Sequence, residues 1–304
     1  MRLFCFGLGY VCVALSEHLR ARGIAVSGTT RDAAKGETLR GRGVKVFGVT
    51  SDDFDDAFRE ELSRATHIVC SVPPDAGGGD RFLEMLNDWR GGGALEWIGY
   101  LSATSVYGDA GGGEVDEFSA VLGAGDTTEG LGEGRHLQRG FLRVRHESGW
   151  MDLAGRLGVA GACFRLSGIY GPGRNVLERV RAGRARRIVK SGHVMSRIHL
   201  SDIVTALDLA MGARAGGIFN LSDDEPASAA EVTEYACDLL GVSPPVEELW
   251  EDIRDDLSPM LRSFYEVDRR VVSRRTCEVL GWRPLYPSYR EGLTALLKTG
   301  DTSD

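Results

Sequence analysis

The chain has 304 residues, 42% of them hydrophobic and 26% charged, and a formal net charge of -8. That length exceeds one small core and fits a large α/β domain or a main domain with a lesser one. The acidic balance argues against a nucleic-acid binder, which carries a basic face and an elevated pI. Six cysteines, at 5, 12, 70, 163, 237 and 277, include no CxxC pair, so neither a zinc site nor a disulfide framework is expected, and a reducing cytoplasm is the simplest location. No run reaches the ~18 uninterrupted apolar residues of a membrane span. The apolar start from Met1 to Leu15 is not read as a signal peptide, because Gly7 and Gly9 interrupt it.

Short β-like runs alternate with helical ones through the first half. Leu3 to Phe6 leads into a helix that Gly23 stops, followed by Ala25 to Thr29, Val44 to Val49, His67 to Val72, Trp97 to Ser102 and Gly161 to Leu166. Strands separated by helices imply βαβ units and a parallel sheet with right-handed crossovers. In the first helix Ala14, Leu15 and Leu19 share one face and Glu17, Arg20 and Arg22 the other, as packing on a sheet requires. Glycines 111 to 113 and the stretch Gly123 to Gly134 predict loops. After Gly171 helical segments lengthen. Ser228 and Glu231 form a capping box for a helix that Gly241 ends, and Ile218 to Leu221 is one more strand. The expected fold is a Rossmann-like, doubly wound parallel sheet over 1-170 and a smaller α-rich substrate lobe over 171-304. The chain is expected to recross near 198-222.

Gly7-Leu8-Gly9-Tyr10-Val11-Cys12 follows a strand and opens a helix. Gly7 permits a tight turn, and Gly9 lets the backbone N-H groups of Tyr10 and Val11 approach a pyrophosphate at the helix N-terminus. Cys12 stands at the third glycine, where small size serves helix-strand packing. The second strand ends in Gly28-Thr29-Thr30-Arg31, without the acid that would bond a ribose 2'-OH. The Thr30 hydroxyl and Arg31 guanidinium suit a 2'-phosphate, which favours NADP over NAD. Ser71-Val72-Pro73 and Leu101 end later strands and belong at the same carboxyl edge.

Three motifs follow this turn in order: Leu101-Ser102-Ala103-Thr104-Ser105-Val106-Tyr107-Gly108-Asp109, Phe164-Arg165-Leu166-Ser167-Gly168-Ile169-Tyr170-Gly171-Pro172-Gly173, and Arg197-Ile198-His199-Leu200-Ser201-Asp202-Ile203. Together they resemble the extended short-chain dehydrogenase/reductase superfamily, of the NAD-dependent epimerase/dehydratase type, in its atypical branch. The resemblance covers nearly the whole chain and ends in Leu280-Gly281-Trp282-Arg283-Pro284. It implies a Rossmann domain with a C-terminal substrate lobe, a Ser or Thr five residues before the motif glycine, and a downstream YxxxK that supplies the acid/base.

This chain departs from that pattern. Ala103 occupies the Ser/Thr position. Between Lys45 and Lys190 there is no lysine, and no YxxxK occurs anywhere. Glu147 and Trp150, used as anchors, place Arg139 at the Tyr position and Arg143 at the Lys position. A guanidinium is a poor base at a pKa above about 12, though it can hold an anion. Tyr107, Tyr170 and His199 remain as candidate proton donors. His146-Glu147 lacks the second histidine of HExxH, no Gly-x-Ser-x-Gly elbow occurs, and no metal site is expected.

Between Arg174 and Arg197 eight cations face one acid, Glu178, a local charge of +7 in an acidic protein. Such asymmetry focuses anionic ligands. The resemblance places this stretch where relatives hold the diphosphate of a nucleotide-sugar, with Arg174 and Arg197 as the first candidate contacts. The resulting expectation is a reductase or epimerase/dehydratase binding NADP or NAD and acting on an anionic, small-molecule substrate. The alternative is a non-catalytic NADP-binding protein that serves a partner. A homodimer is compatible with either.

Overall fold

The computed structural model describes residues 1-49, 54-75, 78-123 and 135-300. The stretch expected as a loop from Gly123 to Gly134 lies, beyond Gly123, outside the described residues. In chain order the first elements are β1 (Arg2–Phe6), α1 (Tyr10–Arg20), β2 (Ala25–Thr30), α2 (Ala33–Gly41), β3 (Lys45–Gly48), α3 (Asp56–Ser63), β4 (His67–Cys70), α4 (Arg81–Met85) and β5 (Trp97–Ala103). A 3-10 turn (Thr104–Tyr107) leads to β6 (Glu114–Val115), α5 (Arg135–Leu157), β7 (Ala160–Leu166), β8 (Gly168–Tyr170), α6 (Val176–Arg181), β9 (Arg187–Val189) and β10 (Arg197–His199). The chain ends with α7 (Leu200–Ala213), β11 (Gly217–Leu221), α8 (Ala229–Leu240), β12 (Glu247–Leu249), α9 (Trp250–Ile253), α10 (Pro259–Tyr265), β13 (Arg270–Val271), α11 (Arg274–Leu280) and α12 (Tyr289–Lys298).

A seven-stranded sheet runs β11-β7-β5-β4-β1-β2-β3. β1 lies towards its middle and pairs in parallel with β2 (Leu3 opposite Val26) and with β4 (Leu3 opposite His67). This is the doubly wound Rossmann-like arrangement. The order reverses at β1, and such a reversal creates the crevice where ligands of this architecture bind. β1 is buried on both faces after Arg2, which explains its unbroken apolar run.

The residues divide into two compact units: Met1–Ala103, Leu142–Arg165 and Val204–Phe219 in the first, and Thr104–Phe141, Leu166–Ile203 and Asn220–Asp304 in the second. The core of the first unit is aromatic. Phe4 meets Phe58 edge-on at 5.4 Å, and Tyr100 stacks on Trp150 at 6.3 Å, geometries that suit ring quadrupoles. α1 buries Val11, Cys12, Leu15, Ser16 and Leu19.

The second unit carries three two-stranded parallel pairs, β8 with β10, β9 with β12 and β6 with β13. An apolar cluster of Tyr170, Val176, Leu177, Val232, Tyr289 and Leu293 joins its helices. α8 begins with the expected capping box, in which the Ser228 hydroxyl accepts from the Glu231 amide and the Glu231 carboxylate from the Ser228 amide. It ends at Gly241 in the left-handed conformation. No described helix is long and apolar enough to cross a membrane.

Candidate functional site

In the first unit, β1 delivers the chain into the turn at Gly7, whose φ of 86° belongs to the left-handed region. A Cβ here would stand 2.8 Å from Val72 Cγ2 and 3.0 Å from Ser71 Oγ. Three hydrogen bonds fix the turn. The Gly7 amide donates to Thr29 Oγ1 (2.9 Å), the Leu8 amide to Thr29 O (2.7 Å) and the Ser71 hydroxyl to Gly7 O (2.5 Å). Gly7, Ser71 and Val72 are thus brought together at the ends of β1 and β4. Thr29, which the motif does not mark, is the residue that ties β2 to the turn.

Gly9 is the N-cap of α1, and no side chain caps this end. The helix therefore presents Tyr10 and Val11 at a terminus with partial positive charge. Cys12, at the third glycine position, is fully buried, and the hydrogen bond it makes with Cys5, followed by burial, holds the Cys5 thiol well above its ordinary range. Thr30 ends β2 and its hydroxyl accepts from the Asp32 amide (3.2 Å). Arg31 is exposed, while the Asp32 carboxylate caps α2 by accepting from Lys35 N at 3.0 Å. Leu101 is buried in β5, and Pro73 lies beyond β4, exposed.

The positions at which the resemblance expects the Ser/Thr and YxxxK residues are also defined. Ala103 closes β5, and Ser102 before it is buried, its Oγ without a hydrogen-bond partner among the described residues. Arg139 is exposed on α5 and Arg143 half-buried. The His146-Glu147 pair is structural. Glu147 accepts from Arg165 through Nε (3.1 Å) and Nη2 (2.7 Å), both residues being buried, and His146 Nε2 meets Gly78 O at 3.1 Å.

In the second unit, Tyr107 donates its hydroxyl proton to Asn220 Oδ1 at 2.6 Å, while Asn220 Nδ2 donates to Val272 O. Tyr170 donates to Ser288 O (3.3 Å) and packs edge-on to His199 at 5.1 Å. His199 Nδ1 accepts from Ser201 N, which places the proton of the neutral ring on Nε2. Burial pulls its pKa down to about 4, so it is neutral across the physiological range. Burial likewise raises the Tyr170 phenol well above its ordinary value.

Asp223, just beyond β11, is 3% exposed, and neither carboxylate oxygen has a hydrogen-bond partner among the described residues. Burial, opposed by Arg197, lifts its pKa to about 8. The Arg197 Nη1 donates to the main-chain oxygens of Met195 (2.8 Å) and Ala227 (2.7 Å). Arg174 closes a two-way main-chain bridge with Gly171. Much of the basic stretch is internally balanced. Arg186 pairs with Glu248 at 2.6 Å and Arg187 with Glu234 and Glu247. Among the described residues no group of three or more His, Cys, Asp or Glu could hold a metal ion.

No family model matches the chain. A conserved protein of unknown function from Silicibacter pomeroyi DSS superposes with a TM-score of 0.83 and 35% identity, covering 99% of each chain. This chain belongs to the family of that protein. The chain also shares its fold with a protein from Methylobacillus flagellatus described as a putative NAD-dependent epimerase/dehydratase, at a TM-score of 0.61 and 18% identity, with 98% of each chain covered. The UDP-glucose 4-epimerase of Thermus thermophilus, solved in complex with NAD, shares that fold at a TM-score of 0.68 and 18% identity, with 100% of each chain covered. A 3-diazoavenalumate denitrifying reductase from Streptomyces sp. is 31% identical over 146 residues, 44% of this chain. The match spans 46% of that protein's length, less than half.

Proposed function

We propose that the chain is an NAD(P)-binding reductase or epimerase/dehydratase acting on an anionic or nucleotide-linked small molecule. The observation that carries this is the Gly7 turn, where φ is positive, a Cβ would collide with Val72, and Thr29 and Ser71 hold the backbone open to a pyrophosphate. Gly7, Gly9, Tyr10 and Val11 would cradle the diphosphate, with Ser71, Val72, Pro73 and Leu101 along the carboxyl edge. When bound, the dinucleotide supplies hydride transfer at its nicotinamide.

Thr30 and Arg31 favour NADP. Asp32 is engaged in capping α2, so its carboxylate is turned to the helix amides while the Arg31 guanidinium is exposed to meet a 2'-phosphate. The reductase and the NAD-bound epimerase among the similar proteins support the reaction class. Arg174 and Arg197 are the candidate substrate contacts, and the proton donor is a group other than YxxxK, with Tyr107, Tyr170 and His199 as candidates. Of these, Tyr107 already donates to Asn220 and His199 is neutral, so neither is set up as a strong acid.

Those same engagements favour a second reading, a non-catalytic NADP-binding protein in which cofactor occupancy stabilises the fold for a partner. A ligand at 100 times its Kd stabilises the native state by about 2.7 kcal/mol, enough to act as a switch. Thermal unfolding with NADP, NADPH, NAD and NADH, in wild type and Arg31→Ala, tests the cofactor assignment. A shift with the phosphorylated pair that Arg31→Ala removes is expected, and no shift with any of the four overturns it. Consumption of NADPH with nucleotide-sugars, ketones or aldehydes then separates enzyme from binder.

A further inference from the structure

The cations of the second unit differ in what neutralises them. Arg186, Arg187, Arg262 and Arg290 each meet a carboxylate within 4.0 Å. Arg269 has no carboxylate at that range among the described residues. Its Nη1 donates to a main-chain oxygen, Gly108 O, at 2.7 Å. The ionisable groups acting on it are Asp109, Tyr107 and Asp268, and the acids among them are engaged elsewhere. Asp109 Oδ1 accepts from the amides of Asp268 (2.8 Å) and Gly111 (3.2 Å), and Asp268 Oδ1 from Val194 N (3.5 Å). Arg269 is half-buried, and loss of hydration, the largest influence on it, outweighs these three groups and pulls its guanidinium down to about 10.

Its anchor gives it a fixed direction. The Gly108 to Gly113 turn is held by the segment that carries Arg269: the amides of Ala110 and Gly112 donate to Asp268 O, and Arg270 donates to Gly112 O. A guanidinium held at one nitrogen keeps its planar fork oriented, and such a fork recognises carboxylate or phosphate oxygens in pairs.

We propose that Arg269 is a specificity-determining residue, the contact for an anionic carboxylate or phosphate group of the substrate beside Tyr107. The proposal rests on the reading of the chain as a protein for anionic small molecules, and names the residue that enforces it. Charge there selects against neutral analogues, because a half-buried guanidinium anchored at one nitrogen gains a charge-assisted, forked contact only from an anion.

The test is calorimetric titration of the NADP-loaded full chain with UDP-glucose, inorganic phosphate and acetate, in wild type, Arg269→Lys and Arg269→Gln. The expected result is that at least one anion binds wild type, that Arg269→Gln weakens it about ten- to a hundredfold, the range for loss of a charge-assisted contact, and that Arg269→Lys recovers part. NADP affinity should stay within about twofold in all three, since the Gly7 turn does not involve Arg269. Equal anion affinity in wild type and Arg269→Gln would overturn the role of Arg269 while leaving the anionic-substrate reading in place. Failure of all three anions to bind wild type that does bind NADP overturns that reading and this proposal together. Should Arg269→Gln not fold, phenylglyoxal modification of wild type, mapped by mass spectrometry, decides. Protection of Arg269 by a bound anion supports the proposal, and modification of Arg269 undiminished by the anion ends it.

Discussion

Buried charge is treated in opposite ways in the two units. In the first, Arg165 and Glu147 are 3% and 6% exposed at their side chains and meet in a forked pair at 2.7 Å, so each compensates the other. In the second, buried Asp223 has both oxygens without a hydrogen-bond partner among the described residues, and the half-buried Arg269 and Arg197 bond to main-chain oxygens instead of carboxylates. A closed pair is a stability device, whereas charge left open is available to a ligand or to titration. The first unit accordingly builds its candidate site from backbone shape at Gly7, and the second from charge.

The largest effect expected from breaking the closed pair is on Glu147→Ala. It strands the Arg165 cation in the core and should cost about 3-5 kcal/mol in denaturant unfolding, whereas Glu147→Leu combined with Arg165→Met should cost much less. The open carboxylate predicts the reverse sign. The folded state holds the Asp223 proton until about pH 8, while an unfolded chain releases it near 3.9. The folded state therefore binds more protons across that window, and stability falls as pH rises through it. Asp223→Asn, which mimics the protonated form, should stabilise the protein by on the order of a few kcal/mol at pH 8.5 and hardly at all at pH 4. Melting curves of both proteins at the two pH values check this, and an equal gain at both would show that the carboxylate is compensated after all.

Shape in the first unit is tested by Gly7→Ala. The positive φ and the 2.8 Å approach to Val72 predict a loss of at least about tenfold in dinucleotide affinity and about 1 kcal/mol of stability, measured by titration and thermal unfolding. Ser228→Ala gives the smallest effect, about 1 kcal/mol or less, since it removes one half of a solvent-exposed capping box. It sets the scale for an ordinary polar contact in the second unit, against which the Asp223 effect is read.

The sheet was legible because its strands are apolar runs bounded by glycine or helix signals. Ala25 to Thr29 and Trp97 to Ser102 fall within one residue of β2 and β5. The capping box at Ser228 and the stop at Gly241 are local chemistry and were equally readable. The pairs β6 with β13 and β9 with β12 were not, since two or three residues have no periodicity and their partners lie far along the chain. Charge counting found the basic stretch but not its neutralisation, because Glu234, Glu247 and Glu248 reach Arg186 and Arg187 only through the fold. Arg269 carried no signal: nothing in Val267-Asp268-Arg269-Arg270 separates a half-buried guanidinium from an exposed one. The absence of YxxxK was fully visible, whereas the hydrogen bond from Tyr107 to Asn220 was not, since it joins residues 113 positions apart.

The clasp between Asp268–Arg270 and the turn after Tyr107 links residues 158 to 161 positions apart. Loop closure over that distance comes late, and a nascent chain is synthesised from its N-terminus at about 5-20 residues per second. The sheet strands β1 to β5 can thus emerge and pair on the ribosome many seconds before the Gly108 turn acquires its clasp. Maturation of the second unit therefore waits for the synthesis of residues 268 to 270. Nascent chains arrested short of residue 268 should have the Rossmann strands in place and a Gly108 turn still open to protease.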